Sequence, residues 1–425
     1  MAAAQMSTYK LIRSLWPKDA IVEQLYKGSP LLGMIKKDTS FGDKIRYVSV
    51  GTSPPQGIGN FAQGKANKTA STAEEFQVVT VPYYGLFSIA GDLFRRYKYT
   101  GNKALIVDPM TRDSKGLMRQ MKNDLSSFLH GNGGGSLGRI ASTSTLASAT
   151  VTLDAGADAR RIVKGMTLWA STADGTSGSI LSGYVTVLSV GGTSAAPTIT
   201  IDQATWSGAI SGLTTTSYLF RAGAVGTGGG GDGVLQGLEA WLPSHSGSPS
   251  TFLGVTRTNA PNQLAGNCLT ATTKSPRQRI MEASQIQADT GASEGKLVYV
   301  TSTRNWVNLY NELTNANALQ MVKAPSAPVG GIKIGVEYDA IKIIGAGGPI
   351  EVVADPWSPD NVERLLNIDS FTLASCGDLI HWDDGAGADD PMLEDGADAR
   401  EVRAVGDIAL YCNDPWSNVR VSVTA

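Results

Sequence analysis

Between residues 108 and 130 apolar side chains recur at Met110, Leu117, Met118, Met121, Leu125, Phe128 and Leu129. Spacings of three, four and seven return these positions to one face, which predicts a long amphipathic helix. Asp108 followed by Pro109 reads as its start, because a carboxylate can accept orphan N–H bonds and proline fits the first helical position. Gly131 and Asn132 read as its stop, since both tolerate the left-handed conformation of a C-terminus. At 1.5 Å per residue such a helix is roughly 30 Å long.

Around it the pattern changes repeatedly. Residues 8 to 37 predict two short helices, the second opening at Ser29-Pro30 and carrying Leu31, Leu32 and Ile35. This stretch reads as an N-terminal arm, too small to form a core. Residues 44 to 50, KIRYVSV, alternate as a strand does, and residues 76 to 90, FQVVTVPYYGLFSIA, read as another. Between them, residues 51 to 75 are rich in Gly, Pro, Ser, Thr and Asn, with Ile58 and Phe61 isolated among them. A connection that long inside a compact domain is functional or disordered. An extended two-stranded arm reaching another subunit accounts for it.

After the long helix, residues 140 to 222 carry short β-type runs (ATVTL, MTLWA, YVTVLSV, TITI, SYLFRA) divided by turn-type clusters. They predict a separate small all-β domain. Residues 223 to 233 read as a glycine linker, and GVLQGLEAWLP follows with helical or mixed character. Ser275-Pro276 opens a helix to about Ala288. KLVYVT at 296 to 301 reads as a buried strand. Ser302 caps a helix with Trp306, Leu309, Tyr310 and Leu313 on one face. Strands follow at 331 to 354 (GIKIGV, AIKII, IEVVA), then an acidic loop at 383 to 401, and IALYC and VRVSV close the chain. The fold class is α+β with an all-β insert.

Composition narrows the choices. Hydrophobic residues make up 42% of the 425, enough for substantial cores, while charged residues are only 17%, below the usual quarter. A chain so poor in charge suits a protein that hides surface in an assembly. Cys268, Cys376 and Cys412 lie far apart and show no metal-ligand spacing, which fits a reducing compartment. The N-terminus lacks the plan of a signal peptide, and no apolar run nears the roughly 20 residues of a membrane span. The expectation is folding in a cytoplasm, without a membrane partner. A formal net charge of −2 gives no whole-chain argument for tight nucleic-acid binding.

Candidate chemistry is thin. Gly134-Gly135-Ser136-Leu137-Gly138 matches G-x-S-x-G, but a nucleophile elbow needs a strand before the serine and a helix after it, and here the order is reversed. Histidine partners are scarce: His130, His245 and His381. Gly226, Gly228 and Gly231 fit G-x-G-x-x-G without the acid that would hold a ribose, so a flexible linker is the simpler reading. In the acidic run, Glu394 falls at the twelfth position counted from Asp383 as the first, but glycines occupy the third and fifth positions and the sixth has none, so a calcium loop fails. Gly156 to Arg160 recurs as Gly396 to Arg400 with unlike flanks, and reads as repeated turn chemistry. No catalytic residue, cofactor site or metal ligand is assigned.

The ordered set of parts resembles the major capsid proteins of tailed double-stranded DNA bacteriophages, with the Hong Kong 97-type fold. The resemblance rests on the arm, the long hairpin, the long helix with LHGNGGGSLG after it, GVLQGLEAWLP, KLVYVTSTRNWVNLYNEL and the terminal IALYCNDPWSNVRVSV. It implies an N-terminal arm (1–45), an E-loop hairpin (46–90), a P-domain with the spine helix (91–139), an inserted β-domain (140–225), a linker returning to the P-domain (226–261), an A-domain (262–375) and an acidic loop with closing strands (376–425). It implies a structural coat protein that self-assembles into pentamers and hexamers of an icosahedral head enclosing DNA, located in the virion and assembled in the host cytoplasm. Scaffolding, portal and decoration proteins would be partners, and packaged DNA would be met through non-specific contacts. Candidate inter-subunit residues are Phe61, Lys65 and Lys68 in the hairpin and Arg112, Arg119 and Lys122 on the helix. Two alternatives stand beside it: a decoration, tail or carbohydrate-binding β-module, and a hydrolase using Ser136.

Overall fold

The computed structural model describes residues 29–42, 44–92, 104–154, 158–193, 196–225, 234–244, 250–291, 295–315, 341–382, 392–393 and 398–423. Most of the N-terminal arm, the glycine linker, the GIKIGV run, His245 and most of the acidic loop lie outside these residues.

Three hydrophobic cores organise them. The first gathers the long helix, the base of the hairpin and a six-stranded sheet. In that sheet Phe371–Ser375 pairs with Ala399–Cys412 and, in parallel, with Lys36–Asp38. Val81–Ala90, His381–Trp382 and Met392–Leu393 also pair with Ala399–Cys412. The stretch from residue 29 is therefore core and not only arm. Leu31, Leu32 and Ile35 are buried within it, on and just after a short helix Pro30–Met34. The acidic loop also ends sooner than expected, because residues 399 to 401 are already strand.

The long helix runs Ala104–His130, 27 residues, about 40 Å at 1.5 Å per residue. It begins four residues before the expected start, so Asp108 and Pro109 lie inside it and not at its cap. A proline there forfeits one backbone bond. Helix and sheet meet closely because residue 85 is glycine: a Cβ on Gly85 would lie 2.4 Å from Met121 Sδ and 3.0 Å from Leu117 Cδ1.

The second core draws only on residues 137 to 219. Its sheet orders Ser136–Arg139, Tyr218–Arg221, Thr167–Ser171, Val185–Gly192, Pro197–Ile201 and Thr150–Thr152. All five β-type runs read in this segment form strands, and a further strand, Ser136–Arg139, starts four residues before the expected boundary.

The third core lies between the helices Pro276–Asp289 and Thr303–Asn315 and a sheet of Asn267–Thr270, Val419–Ser422, Val362–Asn367, Leu297–Thr301, Gly348–Ala354 and Ile341–Gly345. Leu297–Thr301 is buried on both faces. Leu297 and Tyr299 enter this core while Val298 and Val300 enter the first, as a period of two requires. Ser275 caps its helix through a full capping box, and Ser302 Oγ accepts from Asn305 N at 3.3 Å. Val419–Ser422 is a partner of Asn267–Thr270 and Val362–Asn367, so the chain's last strand belongs to this sheet. Val362–Asn367 was not anticipated as a strand.

Candidate interaction surface

The hairpin is built from Ile45–Ser53 and Thr72–Val79, paired antiparallel with a register shift between Gly51 and Ser53. The expected single strand over 76 to 90 is thus two strands, parted at Thr80. The first pairs within the hairpin and the second, Val81–Ala90, pairs in the first sheet. At the base, alternate residues Val48, Val50, Phe76 and Val78 are buried. Phe76 packs edge-on against Trp241 at 5.1 Å and Phe252 at 6.1 Å. Trp241 Nε1 donates to Leu410 O at 3.1 Å. Gln77 N donates to Leu253 O at 2.9 Å. Burying Phe76 alone contributes about 2 kcal/mol.

Beyond Gly51 the hairpin leaves the body. Residues 54 to 71 join the strands and include a short helix, Phe61–Ala66, which the expected extended two-stranded arm did not contain. Asn60 caps it, accepting from Gln63 N at 2.9 Å. Thr52 and Thr72 hydroxyls meet at 2.8 Å, and Gln56 N donates to Thr69 Oγ1 at 3.0 Å. Among the described residues, every hydrogen bond of residues 51 to 73 stays within the hairpin. The tip therefore has its own conformation without support from the subunit. It presents Ile58 at 83% and Phe61 at 87% exposure, with Lys65 and Lys68 exposed beside them. Apolar side chains displayed on a preformed arm are suited to burial on another molecule.

The long helix has a buried and an open face. Met118, Met121, Leu125, Phe128 and Leu129 enter the first core, as the spacing predicted, and Leu117 is half-buried. Asp124 is buried with them. It accepts from Gln120 Nε2 at 2.9 Å and from Tyr83 Oη at 3.3 Å, and pairs with Arg221. Burial holds its carboxyl above the usual range even beside that guanidinium. Arg112 and Arg119 lie on the open face and Lys122 is half-buried.

The helix C-terminus is tied down by polar groups, of which only His130 stood out in the sequence. Gly237 packs over the helix end, where a Cβ would fall 2.2 Å from Phe128 O, and Glu239 N donates to Gly131 O at 3.1 Å. Glu239 is gripped by Arg364 Nη2 at 2.6 Å and Arg420 Nη2 at 2.8 Å. His130 is fully buried with Nε2 3.5 Å from Asp355 Oδ2, which also accepts from Ser29 Oγ at 3.3 Å. Burial drives the His130 pKa down, with the Asp355 carboxylate opposing in part. These contacts join the helix, the chain near residue 29 and the third sheet into one body.

Ser136 opens a strand that follows the long helix, in the order opposite to a nucleophile elbow. Asp158–Arg161 forms a 3-10 turn whereas Ala399 and Arg400 lie in a strand, so the recurring pentapeptide marks no structural repeat. Among the described residues no three His, Cys, Asp or Glu side chains gather as metal ligands, the three cysteines are unbridged, and no helix is long and apolar enough to cross a membrane. The Phe61, Lys65 and Lys68 side chains share the tip. Arg112, Arg119 and Lys122 form a separate surface on the helix.

No family model matches the chain, and no curated protein matches it. Solved structures do. The chain is similar to one in the cyanophage A-1(L) capsid asymmetric unit, with 13% identity and a TM-score of 0.50, covering 93% of this chain and 92% of that one. A chain in the capsid of a native GTA particle is 8% identical with a TM-score of 0.43, covering 93% of this chain and 90% of that one. At these identities the likeness is one of fold. The fold is α+β, of the Hong Kong 97 type.

Proposed function

We propose that this chain is a major capsid protein: a structural coat subunit that self-assembles into pentamers and hexamers of an icosahedral phage head enclosing double-stranded DNA. The observation that carries the reading is the hairpin. Among the described residues its hydrogen bonds beyond Gly51 stay within it, so the tip keeps its own conformation, and it displays Ile58 and Phe61. A neighbouring copy is the partner that a shell supplies at every such arm, through heterologous contacts that close into rings. The fold shared with the cyanophage capsid chain supports the reading.

In this reading Phe61, Lys65 and Lys68 touch the neighbouring subunit. Residues 140–225, with their own core, form an insertion domain on the outer surface. Residues 262–375 form the A-domain at the capsomer centre. The role is structural, in the virion capsid, after assembly in the host cytoplasm. Scaffolding and portal proteins are partners, and the insertion domain is where a decoration protein would sit. Size-exclusion chromatography and electron microscopy of the purified full chain test the proposal. Capsomer rings or closed particles are expected, and a stable monomer over a wide concentration range overturns it.

A further inference from the structure

Charge is unevenly spread along this chain. Residues 95 to 122 hold eight Lys and Arg against two Asp, a net +6 in a chain whose formal net charge is −2. Within the long helix, Arg112, Lys115, Arg119 and Lys122 follow at steps of three, four and three. Those steps keep to one face, so the four cations make a single ridge, about 15 Å long at 1.5 Å per residue. Arg112, Lys115 and Arg119 are exposed. Asp113 lies 3.4 Å from Arg112 Nε, an exposed pair of adjacent residues that neutralises little.

Gly116 is a second, independent observation. It flanks the ridge, one turn after Arg112 and one turn before Arg119, exposed, and a Cβ there would meet nothing within 4 Å. Packing inside the subunit does not require a glycine, and glycine weakens a helix relative to alanine. What the missing side chain leaves is room for close approach to the helix backbone beside Arg112 and Arg119.

We infer that this ridge meets the phosphodiester backbone of the packaged DNA, in place of the inter-subunit contact expected of Arg112, Arg119 and Lys122, so that the helix side of the subunit faces the lumen. The inference rests on the shell reading above and names its DNA-facing surface. Phosphate contact needs positive charge and access, and reads no sequence. A docked protein needs more, because interface centres are poor in lysine and use arginine beside aromatic and apolar anchors, which this ridge lacks. The ridge offers no exposed apolar side chain among its described members, whereas the hairpin tip offers two. The tip suits a protein partner and the ridge a polyanion.

The test is salt-dependent binding of a fluorescent 30-bp mixed-sequence DNA duplex to the unassembled full chain. Arg112→Gln, Lys115→Gln and Arg119→Gln are combined in one variant. Each phosphate contact contributes about 0.9 to the log–log salt slope, so the variant's slope falls by about 2.7. Between 50 and 200 mM salt that is a roughly 40-fold share of the affinity change. Gly116→Gln raises the melting temperature, since glutamine is the better helix former, yet weakens binding several-fold. Intact shells do not bind added duplex through the ridge. An unchanged slope in a variant that still forms particles overturns the inference, as does tighter binding of polyglutamate than of duplex. Failure of the wild-type chain to form any capsomer or particle would instead sink the shell reading, and the microscopy that reveals it is separate from the slope.

Discussion

Glu363 accepts from Arg279 Nε at 2.8 Å and Nη2 at 3.1 Å, from Tyr299 Oη at 2.6 Å and from Thr301 Oγ1 at 2.9 Å. Removing one partner of such a buried pair strands the other charge, so Glu363→Ala costs about 3–5 kcal/mol in urea unfolding of the subunit. His130 gives a pH dependence of definite sign. Its folded pKa lies below its ordinary 6.5 because it is buried. Below pH 6.5 the unfolded chain binds a proton that the folded chain refuses, so stability falls as pH drops from 6.5 towards the folded pKa. Thermal melts across pH 7 to 5 show that decline, and His130→Gln flattens it. A variant with an unchanged slope would refute the assignment. Neither site was legible in the sequence. Glu363 and Arg364 are adjacent charges on one strand, and a period of two sends them to opposite faces. Their partners lie 84 and 125 residues away, Arg279 for one and Glu239 for the other. No local window contains such a pair.

At the scale of elements, what was legible is what depends on local spacing. The apolar repeat gave the long helix and its buried face, Ser275-Pro276 gave a helix start, and turn clusters gave the strands of the 150 to 221 segment. Errors came where a distant partner decided. Asp108-Pro109 is a sound local start, yet the helix extends back to Ala104. Residues 76 to 90 read as one strand because their β character is continuous. The break at Thr80 exists because Val81–Ala90 takes a ladder partner more than 300 residues on, Ala399–Cys412. Two substitutions test the helix–sheet contact. Leu125, at 2% exposure, cannot hold a charge, so Leu125→Asp prevents folding and leaves the chain insoluble or without a cooperative melt. Gly85→Val drives side-chain atoms into Met121 and Leu117 and lowers stability by about 1–3 kcal/mol. A melt like wild type would show that the helix can move off the sheet without cost.

Over the whole molecule, the same rule separates what the sequence discloses from what it hides. The core spanning residues 137 to 219 is assembled from consecutive chain, and five of its six strands were visible in the sequence. The other two cores interleave early and late segments, as when Asn267–Thr270 pairs with Val419–Ser422, and their composition could not be read. The hairpin tip stands apart from all three, and this makes it separable. Gly51 faces Ala73 across the ladder, so deleting residues 55 to 72 leaves Thr52, Ser53 and Pro54 to bridge them, a length ordinary for a β-hairpin. Val48, Val50, Phe76 and Val78 keep their places in the first core. The deletion variant should therefore melt within a few degrees of wild type while, on the proposed shell reading, forming no shells, because the apolar tip assigned there to the next copy is gone. Calorimetry of the subunit and electron microscopy of assembly reactions check the two halves independently. Normal shells from the truncated chain would show that the tip does not join subunits. Loss of the cooperative melt would show that it supports the fold of its own subunit after all.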